Sequence, residues 1–138
     1  DVMYLRSWKH APMATLEKLP NLHKLFLNDD VIIGGGGGGG GIVCSAMGFP
    51  QLKKLELVDL SNLQKWRVDK GAMPKLSTLI IFSCARLQRV PVRLKFITTL
   101  QELSIGNMPN EFTERIRIVD GKEVEDFDRV QHIPSIVF

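Results

Sequence analysis

The residues able to do chemistry are few and dispersed: two cysteines, Cys44 and Cys84, three histidines, His10, His23 and His132, and a run of carboxylates from Asp120 to Asp128. A nucleophile needs a base within hydrogen-bond reach. No His-Glu-x-x-His, Cys-x-x-Cys or Gly-x-Ser-x-Gly spacing brings such groups together. His23 and Lys24 are neighbours on one expected strand, and alternation sends them to opposite faces. The acidic run holds five carboxylates in nine residues but lacks the Asp-x-Asx-x-Asx-Gly order of a calcium loop, so a solvated acidic turn is expected there. Eight consecutive glycines, Gly34 to Gly41, contain the Gly-x-Gly-x-x-Gly string that any polyglycine contains. No Gly-Lys-Ser/Thr follows, and a flexible loop is the expectation rather than a phosphate site. No catalytic, cofactor-binding or metal-binding residue is assigned, and the chain is not expected to be an enzyme.

The composition narrows the partners further. With 18 Lys and Arg against 15 Asp and Glu, the net charge of +3 is small and its cations are interspersed with carboxylates, which argues against nucleic acid. No apolar run reaches the roughly 18 residues of a membrane span, and the first residues lack the basic start and apolar stretch of a signal peptide. A cytoplasmic protein with two reduced thiols is therefore expected. The chain opens on Asp1 rather than Met and reads as a fragment.

What positions these residues is a repeat. Phe49 to Pro91, laid over itself with an offset of 24, places Leu52, Leu55 and Leu57 on Leu76, Leu79 and Ile81, and Leu63 on Leu87. This is the leucine-rich-repeat pattern L-x-x-L-x-L-x-x-N/C-x-L. Leu100, Leu103 and Ile105 return the same spacing once more, whereas Leu22, Leu25 and Leu27 precede their counterparts by 30, so six residues are inserted between Leu27 and Leu52. The expected fold is α/β: a leucine-rich-repeat solenoid with a curved parallel sheet on its concave side, irregular turns and short helices on its convex side, and a C-terminal cap. A single domain of about four repeats would occupy 1–108, with cap and tail over 109–138.

Details follow from the same frame. The first twenty residues read as an incomplete repeat with Val2, Leu5 and Trp8 apolar, then a short convex helix or turn around Glu17 that Pro20 ends. Phe49-Pro50 and Met73-Pro74 predict the same bend before two strands. Cys84 occupies the N/C position, where the side chain turns inward to the bend. Phe112, Ile116 and Val119 at near-helical spacing predict an amphipathic cap. Arg86, Arg89, Arg93 and Lys95 predict a solvated basic convex cluster, Trp66 a core position, and the closing IPSIVF an extended strand or a loose end.

On each strand the leucines face the core and the residues between them face the concave surface. The columns predicted down the stack are Lys24, Lys54, Thr78 and Glu102; Phe26, Glu56, Ile80 and Ser104; and Asn28, Val58, Phe82 and Gly106. Exposed apolar groups rimmed by charge mark protein contacts, so the candidate protein-binding residues are Lys24, Phe26, Lys54, Glu56, Val58, Thr78, Ile80, Phe82 and Glu102.

PMATLEKLPNLHKLFL, GFPQLKKLELVDLSNLQKW, AMPKLSTLIIFSCARLQRVP and the closing EDFDRVQHIPSI resemble the carboxyl-terminal repeats of plant nucleotide-binding leucine-rich-repeat disease-resistance proteins of the coiled-coil class. The resemblance covers nearly the whole chain except the glycine run. It implies a repeat segment that recognises pathogen effectors and helps hold a receptor inactive, with effectors or other domains of the same receptor as protein partners. It implies no ATP site in this chain, which has no Walker A loop. The alternative is a set of purely structural repeats capping a longer solenoid.

Overall fold

A computed structural model describes residues 1–6, 13–28, 40–117 and 124–138. Its centre is a six-stranded parallel sheet built from β1 (Val2–Arg6), β2 (Lys24–Asn28), β4 (Lys54–Val58), β6 (Thr78–Phe82), β7 (Glu102–Gly106) and β8 (Ser135–Val137), in that spatial order. Leu25, Leu55, Leu79 and Leu103 stand in register, as do Leu27, Leu57, Ile81 and Ile105, and all eight are buried. This is the solenoid the 24-residue period predicts, because each strand buries one face only against the turns of its own and neighbouring repeats.

The bends repeat as faithfully as the leucines. At the start of successive strands one carbonyl accepts from two backbone N–H groups of the next repeat: His23 from Lys53 and Lys54 (2.7 and 3.1 Å), Lys53 from Ser77 and Thr78 (2.8 and 3.0 Å), Ser77 from Gln101 and Glu102 (2.8 and 3.1 Å). After successive strands Asp59, Ser83 and Asn107 have φ of 53°, 54° and 47°. These short polar side chains tolerate the left-handed region at little cost. The expected common bend before β4 and β6 is present too: Phe49 and Met73 both have positive φ, 53° and 51°. For large apolar residues that conformation costs on the order of 1 kcal/mol. Burial of both side chains, at 1% and 0% exposure, offsets it.

Three segments differ from the sequence expectations. The first residues form a complete strand, β1, with Leu5 buried and Val2, Tyr4 and Arg6 turned out. The convex side carries a second parallel pair, β3 (Gly40–Cys44) with β5 (Leu63–Val68), in which Ile42 lies beside Trp66. Gly40 and Gly41 thus belong to a strand, and the rest of the glycine run, like Trp8, His10, Val119 and Asp120, lies outside the described residues. β5 was missed because LQKWRV alternates against a flank of turn residues that the repeat template assigns to a bend. It extends because its buried Leu63, Trp66 and Val68 close the convex wall of the core.

The third difference is the C-terminal closure. The short helices α1 (Met13–Leu16) and α2 (Asn110–Glu114) cover convex positions, and Phe112 on α2 and Ile116 just after it are each 2% exposed. In the described part of the run expected to be a solvated acidic turn, Glu125 and Asp128 are exposed as expected but Asp126 is tied down instead. Asp126 is fully buried: Arg89 Nε donates to its Oδ2 at 3.1 Å, Arg89 Nη2 donates to its Oδ1, and its own N–H donates to the Arg115 carbonyl at 2.8 Å. Arg129 lies 3.6 Å from the same carboxylate and donates to the Val90 carbonyl at 2.7 Å. Lys95 stands 4.0 Å from Asp128. The convex cluster read as solvated is therefore partly neutralised by the chain's own tail, since a 0%-exposed carboxylate needs charged partners. Within the closing IPSIVF, Ser135–Val137 form β8 against β7.

Candidate protein-interaction surface

Among the described residues the sulfur and imidazole groups do not converge. Cys44 and Cys84 are both buried and not bonded to one another. Burial pushes the Cys44 thiol up to about 12, the nearby Trp66 indole opposing and the Glu17 and Asp69 charges adding to the rise. Cys84 is also raised by burial, and its Sγ lies 3.5 Å from the Leu57 carbonyl and 3.6 Å from that of Phe82. This is the inward-turned cysteine expected at the N/C position, satisfying the bend. Glu17 is buried to 7% exposure and accepts the Ser45 N–H at 2.9 Å, so it braces a turn. No group of three His, Cys, Asp or Glu among the described residues could hold a metal ion.

The concave sheet brings together what the columns predict. Lys24, Lys54, Thr78 and Glu102 are register partners, as are Phe26, Glu56, Ile80 and Ser104, and Asn28, Val58, Phe82 and Gly106. Apart from Gly106, which has none, each of these side chains is partly or fully open to solvent, while the residues between them on each strand, Leu25 and Leu27, Leu55 and Leu57, Leu79 and Ile81, Leu103 and Ile105, point into the core. Phe82 is 44% exposed and lies flat across β7, because Gly106 leaves room for it: a Cβ there would fall 2.5 Å from Phe82 Cδ2. Gly106→Ala is expected to lift the Phe82 ring off β7 and to cost about 1 kcal/mol in chemical denaturation.

Sequence reasoning missed the strongest aromatic feature. Tyr4 is 70% exposed and its ring stacks on Phe26, with centroids 4.5 Å apart and planes 8° from parallel. Lys54 Nζ sits 5.7 Å from the Phe26 centroid. Such cation–π and stacked pairs hold otherwise mobile side chains in a defined pose. Tyr4, Arg6, Phe26, Asn28, Glu56 and Val58 surround a shallow concavity of about 480 Å³ at this end of the sheet. The signal was present as alternation in VMYLR, but without a leucine triplet the template did not claim it as a strand.

No helix among the described residues is long and apolar enough to cross a membrane. No protein-family model matches the chain. Among curated proteins it is similar to the probable disease resistance RPP8-like protein 2 of Arabidopsis thaliana, 42% identical over 127 residues that make up 92% of this chain and 13% of that protein. The disease resistance RPP8-like protein 3 of the same plant is 41% identical, and the disease resistance protein RPP8 42% identical, over the same shares. The chain thus spans 13% of the length of these relatives.

Proposed function

We propose that this chain, a leucine-rich-repeat segment homologous to plant disease resistance proteins, serves as the protein-recognition and autoregulatory part of an intracellular immune receptor. The observation that carries the reading is the exposed concave face, where Tyr4, Phe26, Val58, Ile80 and Phe82 leave apolar and aromatic surface open beside Lys24, Lys54 and Glu56. Such a surface binds by shape and by burial of its aromatic groups, and needs neither metal nor cofactor. Regulation then works by population shift: contacts to other domains of the receptor favour its resting state, and a pathogen effector that meets the same face only in the active state opposes them. The cytoplasm is the compartment this reading requires.

The test replaces Ile80 and Phe82 by Glu in a full-length receptor carrying this segment. Loss of effector-triggered response, or activity without effector, at unchanged protein abundance is the expected result. A receptor that rests and responds normally with both substitutions would show that the concave face is not used.

A further inference from the structure

The start of the concave strands carries a ridge of positive charge that no described carboxylate neutralises. Lys24 and Lys54 are direct register partners, so their Cα atoms stand about 4.8 Å apart across neighbouring strands. Lys53 and His23 immediately precede these two strands, and Lys75 lies shortly before β6. Like charges placed directly opposite destabilise a sheet. None of these four lysines makes an ion pair: Lys75 Nζ donates to the neutral Gln51 Oε1 at 3.0 Å, and Lys54 leans over the Phe26 ring. His23 is held below its ordinary value of 6.5 by loss of hydration first, then by the amino group of Asp1 and the charges of Lys53 and Lys75. The convex cations differ, because Arg89 and Lys95 already face Glu125, Asp126 and Asp128.

The next outward positions along the strands are Phe26, Glu56 and Ile80, with Val58 one outward position beyond Glu56, so apolar groups lie on both sides of a single carboxylate. We infer that the ridge and these apolar groups together form a docking site for an acidic peptide segment that also carries aromatic or aliphatic side chains. Its carboxylates lie over Lys24, Lys53, Lys54 and Lys75, and its apolar side chains fill the ground beside Phe26 and Val58. Charge complementarity sets the orientation. Glu56 in the second column and Glu102 at the far end of the first repel carboxylates, so the acidic groups stay on the strand-start side and short of β7. The same two glutamates, and the apolar groups between, disfavour a phosphate backbone, which has nothing to place on them. This inference rests on the concave-face reading above and specifies its partner.

The test measures binding of the 138-residue chain to a random Glu/Tyr copolymer, with polyglutamate, a Lys/Tyr copolymer and duplex DNA as comparisons. The expected result is binding of the Glu/Tyr copolymer that exceeds polyglutamate, no binding of the Lys/Tyr copolymer, and weakening as salt rises from about 0.05 to about 0.5 M. Lys24→Glu with Lys54→Glu should lower the affinity at least about tenfold, since each lost contact becomes a repulsion. Lys53→Glu with Lys75→Glu, further from the core, should do the same with no change in thermal melting. Affinity unchanged in both variants, or polyglutamate or duplex DNA bound as tightly as the Glu/Tyr copolymer, overturns the inference. The two proposals fail separately. A receptor disabled by the Ile80 and Phe82 substitutions but indifferent to the lysine reversals loses only the acidic partner, whereas lysine-dependent copolymer binding with a normal Ile80 and Phe82 variant receptor loses only the immune role.

Discussion

Asp126→Ala is expected to destabilise the chain by about 3 kcal/mol in urea or thermal denaturation, although the residue belongs neither to the repeated leucine positions nor to the concave columns. Its carboxylate is fully buried and joins Arg89, from the turn after β6, to Arg129, from the short turn Phe127–Arg129, while its backbone N–H donates to the Arg115 carbonyl just after α2. The alanine leaves Arg129, only 14% exposed along its side chain, without its buried counter-charge. The wider consequence is loss of the cap, because β8 pairs with β7 through only three register positions and depends on this tie to stay in place. Hydrogen exchange should accelerate over Ser135–Val137 and β7 before it does over β4.

The same group makes a pH prediction whose sign is determined. Burial alone would raise the Asp126 pKa, but the Arg89 hydrogen bond and the charges of Arg129, Arg89 and Arg115 outweigh it and hold the carboxyl below its ordinary 3.8. A folded value below the unfolded one means stability that is fully present above the unfolded pKa and lost as pH falls through the folded value. The stability gap between the parent chain and Asp126→Asn should therefore be constant near neutrality and shrink only below about pH 4. A gap that closes between pH 6 and 5 would assign the effect to another group.

Phe49→Ala should have the larger effect, a loss of about 4 kcal/mol. Phe49 is 1% exposed, stands in the left-handed region with φ 53°, and its N–H donates to the Glu17 carbonyl at 2.7 Å. Alanine keeps the strained backbone and removes the buried ring that offsets the strain, leaving a cavity between α1 and β4 that the fixed bends on either side cannot close. Phe49→Leu, which keeps most of the apolar volume, should recover at least half of the loss. Equal destabilisation by Leu and Ala would mean that the ring's shape, rather than its burial, sets the cost.

Much of the fold was legible because a repeat writes each contact several times. Leu52, Leu55 and Leu57 recur at a fixed offset, so the register of β4, β6 and β7 and the concave columns can be read from spacing alone. Cys84 and the Phe49 and Met73 bends were legible for the same reason. Tyr4 was not, because the strand that carries it has no leucine triplet and the alternation in VMYLR is too short to stand alone. Nor was β5, since whether a polar-apolar alternation extends or turns depends on whether a core wall awaits its buried side.

The leucine period by itself determined a parallel solenoid, its inward and outward residues, and so the set of side chains any concave partner must meet. It could do so because those contacts join equivalent positions one repeat apart. Only the tertiary structure decided that Arg89 is a partner of Asp126, 37 residues away, rather than a solvated cation, and that Asp126 is a buried clamp rather than one more solvated carboxylate. It likewise decided which lysines stay unneutralised. Charge pairing acts between groups close in space without regard to their separation in the chain, and no periodicity records it.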